Sequence, residues 1–213
     1  MVLGLGTGST AAHAIRAIGR RRRTENLELR GVATSFASER LAREAGIPLT
    51  DLSGVDALDL AIDGADEITP QLDLIKGRGA AHTRERVVAA DAREFVVVGD
   101  YRKTVPHLGE TVPVPVEVVP MAVRPVMRRL LDLGGDVEVR EGGAKDGPVV
   151  TDQGLWVLDV RFGAIEEKSR LRAIADEIKG WPGVLDHGLF VGLASRAFVG
   201  QEDGSVRELE SGS

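Results

Sequence analysis

The chain predicts an α/β protein in which a Rossmann-like, mostly parallel sheet domain is joined to a second, smaller ferredoxin-like α+β domain. Three observations carry this. Apolar strand-like runs alternate with helical patterns through the first half, polar groups gather where those runs stop, and the order of elements changes after Pro113. Alternation of this kind is βαβ grammar, which gives parallel strands joined by right-handed crossovers. In such sheets ligands bind beyond the carboxyl ends of the strands.

Val2–Leu5 is a short apolar run and reads as the first strand, with a helix from Ser9 after the turn. That helix is expected to end at Arg20, Arg21, Arg22 and Arg23, because cations complement the negative end of a helix dipole. Four consecutive arginines could instead mark a patch for a polyanion, but the solvated helix end is the better reading. Residues 27–33 are a strand and 38–45 a helix. The run 58–62 is a buried strand, so Asp63 sits where it stops and Gly64 lets the chain turn. A short strand at 72–75, a helix at 83–92 and the Val-rich strand Phe95–Asp100 complete the alternating half. Four strand ends then carry polar groups: Gly6 to Thr10, Thr34 with Ser35, Asp63 to Asp66, and Gly99 to Lys103. These loops can converge on one site.

Beyond Pro113, Val114–Val118 is a proline-flanked strand, 123–133 a helix, 136–140, 149–151 and 155–162 strands, 166–178 a helix and 184–190 a strand. This approximates the βαββαβ order of a ferredoxin-like unit. The apolar stretch 189–199 is expected to return to the first sheet, and 201–213 to be a polar strand and tail. The division is therefore residues 1–122 plus 191–213 for the larger domain and 123–190 for the smaller.

A chain of 213 residues can bury roughly 70% of its unfolded surface, so it needs no covalent staple. It has no cysteine, which excludes thiolate catalysis, Fe–S clusters and cysteine zinc sites and points to a cytoplasmic enzyme. The apolar start, Met-Val-Leu-Gly-Leu-Gly, is too short to span a membrane and lacks a basic leader. With 27 basic and 33 acidic residues the net charge of -6 repels nucleic acid. Trp156, Trp181 and the five phenylalanines are too scattered to stack bases. The four histidines, His13, His82, His107 and His187, lack metal-ligand spacing, so no metal is expected.

Chemistry concentrates in two motifs. Gly4-Leu-Gly-Thr-Gly-Ser-Thr10 follows a strand and opens a helix, which aims backbone N–H groups at an anion such as phosphate. It is neither a P-loop nor a clean dinucleotide fingerprint, and an ordinary tight turn with a Ser9 cap remains open. Residues 62–85 hold Asp63, Asp66, Lys76 and Glu85 in a glycine-punctuated stretch, a grouping suited to proton transfer on a sugar. Asp63 and Asp66 could also serve an Asx turn or a cap. Lys76 opens Lys-Gly-Arg-Gly, where backbone can approach a ligand closely and the ammonium can neutralise a phosphate or an enediolate. Glu85 is a candidate base for a carbon-bound proton if burial raises its pKa from about 4.3 toward neutrality, yet between Arg84 and Arg86 it also fits a solvated helix face. Lys103 is a second candidate phosphate ligand.

These residues resemble, in order and spacing, the ribose-5-phosphate isomerase type A family. The likeness runs through Gly4 to Thr10, Ile62-Asp-Gly-Ala-Asp-Glu67, Ile75-Lys-Gly-Arg-Gly-Ala-Ala81 with Thr83-Arg-Glu85, and Val114-Pro-Val-Glu-Val118. It continues in Asp132-Leu-Gly-Gly135, Val150-Thr-Asp152, Pro182-Gly-Val184 and Gly188-Leu-Phe190, so it spans nearly the whole chain. The resemblance implies an aldose-ketose isomerase that interconverts ribose 5-phosphate and ribulose 5-phosphate through an enediol(ate), in the non-oxidative pentose phosphate pathway. It also implies no metal or organic cofactor and a homodimer or higher homo-oligomer. By residue, it implies Glu85 as proton acceptor, with Thr7, Gly8, Ser9, Thr10, Asp63, Gly64, Ala65, Asp66, Lys76, Gly77, Arg78, Gly79 and Lys103 binding substrate. Asp63, Asp66 and Lys76 are counted among the catalytic groups. The family usually has a helix before the first strand, Arg78 replaces a frequent glycine and His82 a frequent leucine, which is expected to tune the site. The alternatives are a sugar-phosphate-binding sensor and a CoA-transferase-like enzyme of the same fold group.

Overall fold

The computed structural model describes residues 1–144 and 146–210. In chain order the elements are β1 (Val2–Leu5), α1 (Ser9–Glu25), β2 (Arg30–Ala33), α2 (Phe36–Glu44), β3 (Leu60–Gly64), β4 (Glu67–Ile68), β5 (Leu74–Ile75), α3 (His82–Asp91) and β6 (Phe95–Asp100). There follow β7 (Val114–Val118), α4 (Val123–Asp132), β8 (Asp136–Val139), β9 (Trp156–Arg161), α5 (Lys168–Lys179), β10 (Val184–His187), β11 (Leu189–Phe190), β12 (Arg196–Gly200) and β13 (Val206–Glu210). They form two compact units. The first holds Met1–Ala65, Arg84–Arg102 and the chain from Gly192 onward; the second holds Asp66–Thr83 and Lys103–Val191.

The first unit is built on a six-stranded sheet in the order β13-β12-β6-β3-β1-β2. All its pairings are parallel except the outer β12–β13 pair. Leu3 and Leu5 of β1 pack with Ile15 of α1 and Ala42 of α2 in one buried cluster. A methyl group on Gly4 would lie 2.4 Å from Val88 of α3, so glycine here lets that helix lie close on the strand. Asn26 caps α1 in the left-handed conformation (φ 53°) and the Leu27 N–H returns to the Arg22 carbonyl. That cap occupies the chain before Arg30, which is why β2 is shorter than the expected 27–33 strand. The arginine run serves helix ends. Arg22 and Arg23 donate to the Gly46 and Ala45 carbonyls, at 3.0 and 2.7 Å, just past the end of α2.

The second unit contains an antiparallel sheet in the order β10-β7-β9-β8. Counting only its own strands, this is the 4-1-3-2 order of a ferredoxin-like βαββαβ unit, with α4 and α5 as the crossovers. Val116 and Val118 of β7 and Leu158 and Val160 of β9 pack with Leu130 of α4 and Ile178 of α5. Leu130 is fully buried, so Leu130→Ala should cost about 2–5 kcal/mol. The expected result is a lower denaturant midpoint at unchanged slope.

A separate three-stranded sheet, β11-β5-β4, lies in the same unit. It explains two departures from the sequence expectation. The segment 66–83 pairs with β11 and the segment 103–122 carries β7, so both lie in the second unit although sequence grouped them with the first. The expected strand 184–190 divides at Gly188, whose N–H donates to the Pro115 carbonyl at 2.7 Å and whose carbonyl accepts from Lys76 N at 2.9 Å. A methyl group there would sit 2.2 Å from the Lys76 oxygen. The expected strand at 149–151 is no strand. Thr151 is drawn into a turn, its hydroxyl accepting from Gln153 N and Leu155 N, and only isolated bridges remain. Of the polar tail, residues 211–213 lie outside the described residues.

Candidate active site

In the first unit the carboxyl ends of β1, β2 and β3 are tied together by a polar cluster. Asp63, at the end of β3, is 3% exposed, and its Oδ1 accepts from Thr7 N at 2.9 Å and Gly64 N at 2.7 Å. The Thr7 hydroxyl lies 2.7 Å from both the Thr34 and Ser35 hydroxyls. Gly6 has no room for a side chain, since a methyl group would fall 2.1 Å from Asp63 Oδ1. Asp63 thus shapes the turn after β1 from the end of β3, its carboxylate accepting from the next residue's N–H rather than from the N–H two residues on that an Asx turn uses.

Gly8, with φ 109° and ψ 175°, is the residue before α1, and no side chain caps this helix. Ser9 and Thr10 are therefore its first helical residues, and Ser9 is not the cap. The free N–H groups of a helix start carry partial positive charge, here uncompensated by any acid in the first turn. Gly8 and Ser9 are exposed, so an anion can reach them. Glu85 lies in the first turn of α3 and is 5% exposed. Its neighbour Arg84 donates to the Ala33 carbonyl at 3.2 Å, with its guanidinium 5.5 Å from the Phe36 ring centre. Ala65 ends the first of the three chain segments of this unit.

In the second unit Asp66 N donates to the Ile75 carbonyl at 2.8 Å, and Asp66 Oδ2 accepts from Arg78 N at 2.9 Å. Lys76 is 3% exposed, with its ammonium 5.6 Å from the Phe190 ring centre. That distance falls within cation–π range. Gly77 has φ 107°, and the buried His82 imidazole lies where a side chain would go, with Nδ1 only 2.7 Å from an added methyl group. Arg78 and Gly79 are exposed. Lys103 ends a 3-10 turn and is partly exposed.

Sequence reasoning passed over four side chains that shape these segments. Arg140 donates to the Gly77 and Arg78 carbonyls and is gripped by Asp159, while Glu117 accepts from the Thr83 hydroxyl and Gln153. Phe190 lies under Lys76. Asp159 and Glu117 did leave a signal, each an acid inside an otherwise apolar strand. Among the described residues no group of three His, Asp or Glu side chains could hold a metal ion, and no helix is long and apolar enough to cross a membrane.

Residues 30–204 match the family model described as ribose 5-phosphate isomerase A (phosphoriboisomerase A). A relative from Gloeothece citriformis named ribose-5-phosphate isomerase A is 53% identical over 98% of this chain and 88% of its own length. One of the same name from Methanosarcina acetivorans is 50% identical over 97% of this chain and 86% of its own. The solved ribose 5-phosphate isomerase A of Methanocaldococcus jannaschii superposes with a TM-score of 0.92 at 44% identity, covering 99% of this chain and 91% of that one. A solved D-ribose-5-phosphate isomerase in complex with phospho-erythronic acid gives 0.94 at 41% identity, with coverage of 99% and 90%.

Proposed function

Because the chain belongs to the ribose 5-phosphate isomerase A family and so interconverts D-ribose 5-phosphate and D-ribulose 5-phosphate, we propose that Glu85 is the base of that reaction. What carries the reading is the burial of Glu85, 5% exposed in a helix whose first turn follows the Lys-Gly-Arg-Gly loop in the chain.

The open-chain aldose has its carbonyl at C1 and one hydrogen on C2; the ketose has its carbonyl at C2 and two hydrogens on C1. Glu85 takes the C2 proton, the bonding pair forms the C1–C2 double bond, and negative charge collects on O1 to give an enediolate. The proton held on Glu85 exchanges with solvent during the life of the enediolate; its delivery to C1, with transfer of the O2 proton to O1, completes the ketose. Asp63 or Asp66 assists ring opening by taking the anomeric hydroxyl proton and passing it to the ring oxygen O4 as the C1–O4 bond breaks and the C1 carbonyl forms. Lys76 and the Gly79 N–H stabilise the enediolate charge, the Arg78 N–H being taken by Asp66 Oδ2. The α1 start, through Thr7, Gly8, Ser9 and Thr10, holds the phosphate, with Lys103 as a further cation. General acid–base help of this kind contributes about 10²- to 10⁴-fold, and electrostatic stabilisation much of the rest. A sensor or a CoA-transferase-like enzyme is not favoured, since the isomerase relatives align over nearly the full chain. A homo-oligomer in the cytoplasm completes the reading.

The test is the reaction of ribose 5-phosphate with the purified chain in D₂O. Ribulose 5-phosphate carrying deuterium at C1 is the expected product, and tight binding without exchange would overturn the assignment. Gly6→Ala supplies an independent check on Asp63. An added methyl group 2.1 Å from Asp63 Oδ1 and 2.5 Å from its Cα must shift both the carboxylate and the end of β3. A misplacement on the order of 1 Å costs about 10²-fold, so kcat/KM should fall by at least that factor, with a lowered melting temperature.

A further inference from the structure

The Lys76-Gly-Arg-Gly79 loop is held by a side chain given no role in the chemistry above. Arg140 follows β8, and its backbone N–H is fixed to the Val157 carbonyl at 2.8 Å. Its guanidinium Nε donates to Asp159 Oδ2 at 2.7 Å and Nη2 to Asp159 Oδ1, a two-pronged pair only 15% and 12% exposed. The remaining nitrogen, Nη1, donates to the Gly77 carbonyl at 2.8 Å and the Arg78 carbonyl at 3.0 Å. One planar group thus spends its donors on a brace and on two consecutive loop peptides.

The consequence lies on the far side of those peptides. Across a trans peptide the carbonyl and the next N–H point in opposite directions. With the Gly77 carbonyl turned to Arg140, the Arg78 N–H points away from it, and there it meets Asp66 Oδ2 at 2.9 Å. The Gly77–Arg78 peptide is therefore gripped from both sides, by Arg140 on its oxygen and Asp66 on its nitrogen. With the Arg78 carbonyl turned the same way, the Gly79 N–H also points away from Arg140, and it meets no acceptor among the described residues. A cation on both carbonyl oxygens polarises both peptides and strengthens the N–H groups as donors. Asp66, Arg78, Arg140 and Asp159 all line one cavity of about 380 Å³ within this unit.

We propose that Arg140, braced by Asp159, is a positioning residue for the isomerisation. It sets the 77–79 peptides so that Asp66 is held by one N–H and the Gly79 N–H is presented to negative charge developing on the substrate. This rests on the roles proposed above for Asp66 and Lys76. Lysine cannot replace arginine here, because an ammonium keeps the charge without the planar fork.

The experiment compares Arg140→Ala, Arg140→Lys, Asp159→Asn and Lys76→Met in steady-state kinetics with ribose 5-phosphate, alongside melting temperatures. Arg140→Ala is expected to lower kcat by about 10- to 100-fold with KM within about threefold of wild type. Guanidinium chloride at millimolar concentration should restore part of that kcat by filling the vacated position, which a merely structural loss would not show. Arg140→Lys should resemble Arg140→Ala, and Asp159→Asn should fall between it and wild type. A kcat within threefold of wild type in Arg140→Ala overturns the proposal, as does a loss that guanidinium leaves unchanged and that follows the melting temperature. If Arg140→Ala does not fold, the kcat and KM of Arg140→Lys decide in the same way. Full activity in Lys76→Met would sink the underlying site reading instead, whereas an inactive Lys76→Met beside an unaffected Arg140→Lys sinks only the clamp.

Discussion

Glu85→Gln is expected to lower kcat for the interconversion by about 10²- to 10⁴-fold and to abolish deuterium incorporation from D₂O in parallel. Glutamine keeps the length, shape and one oxygen of the side chain, so a site that is 5% exposed loses little packing by the change. What it loses is the basic oxygen. Substrate affinity should survive, because the phosphate seat assigned to residues 7–10 does not involve Glu85. The informative comparison is therefore binding against exchange. A variant that binds ribose 5-phosphate as wild type does and exchanges nothing identifies the base. Residual exchange within tenfold of wild type would show that another group takes the C2 proton, and Asp63 and Asp66 would be the next to substitute.

Much of this site was legible because its residues belong to short motifs at strand ends. The apolar run before Asp63 marks β3, although the strand continues through Asp63 and Gly64 rather than stopping at Ile62, and the run before Gly6 marks the end of β1. Packing was harder to read. Arg84 and Arg86 beside Glu85 look like a solvated face in one dimension, yet Arg84 is used on the Ala33 carbonyl and the Phe36 ring and Glu85 is buried. Arg140 and Asp159 were not legible as partners of the glycine loop. They lie 63 and 82 residues beyond Gly77 in the chain, and only the β8–β9 pairing and the β7–β9 register bring them there. Likewise 149–151 has strand composition, but the Thr151 hydroxyl fixes a turn through Gln153 N and Leu155 N, and the segment makes isolated bridges rather than a ladder.

Lys76→Met should separate catalysis from folding. The Lys76 ammonium is buried over Phe190, with the main chain anchored to Gly188, so the protein carries the desolvation cost of a cation at this position. Methionine matches the unbranched stem and its sulfur packs well against an aromatic ring. Removing the charge also removes its desolvation cost, which offsets the interactions lost with it. The denaturation midpoint is expected to stay close to wild type. Catalysis should behave differently. Losing one preorganised donor to a developing oxyanion costs about 10²- to 10³-fold in kcat, or about 2.7–4 kcal/mol. KM should change far less, because the enediolate charge exists only beyond the ground state. Kinetics and urea denaturation on the same preparation check both halves. A kcat within threefold of wild type would remove Lys76 from the chemistry. A kcat loss matched by a collapse in stability would make the lysine a structural residue of the β5–β11 pair, with the charge of the enediolate left to the Gly79 N–H alone.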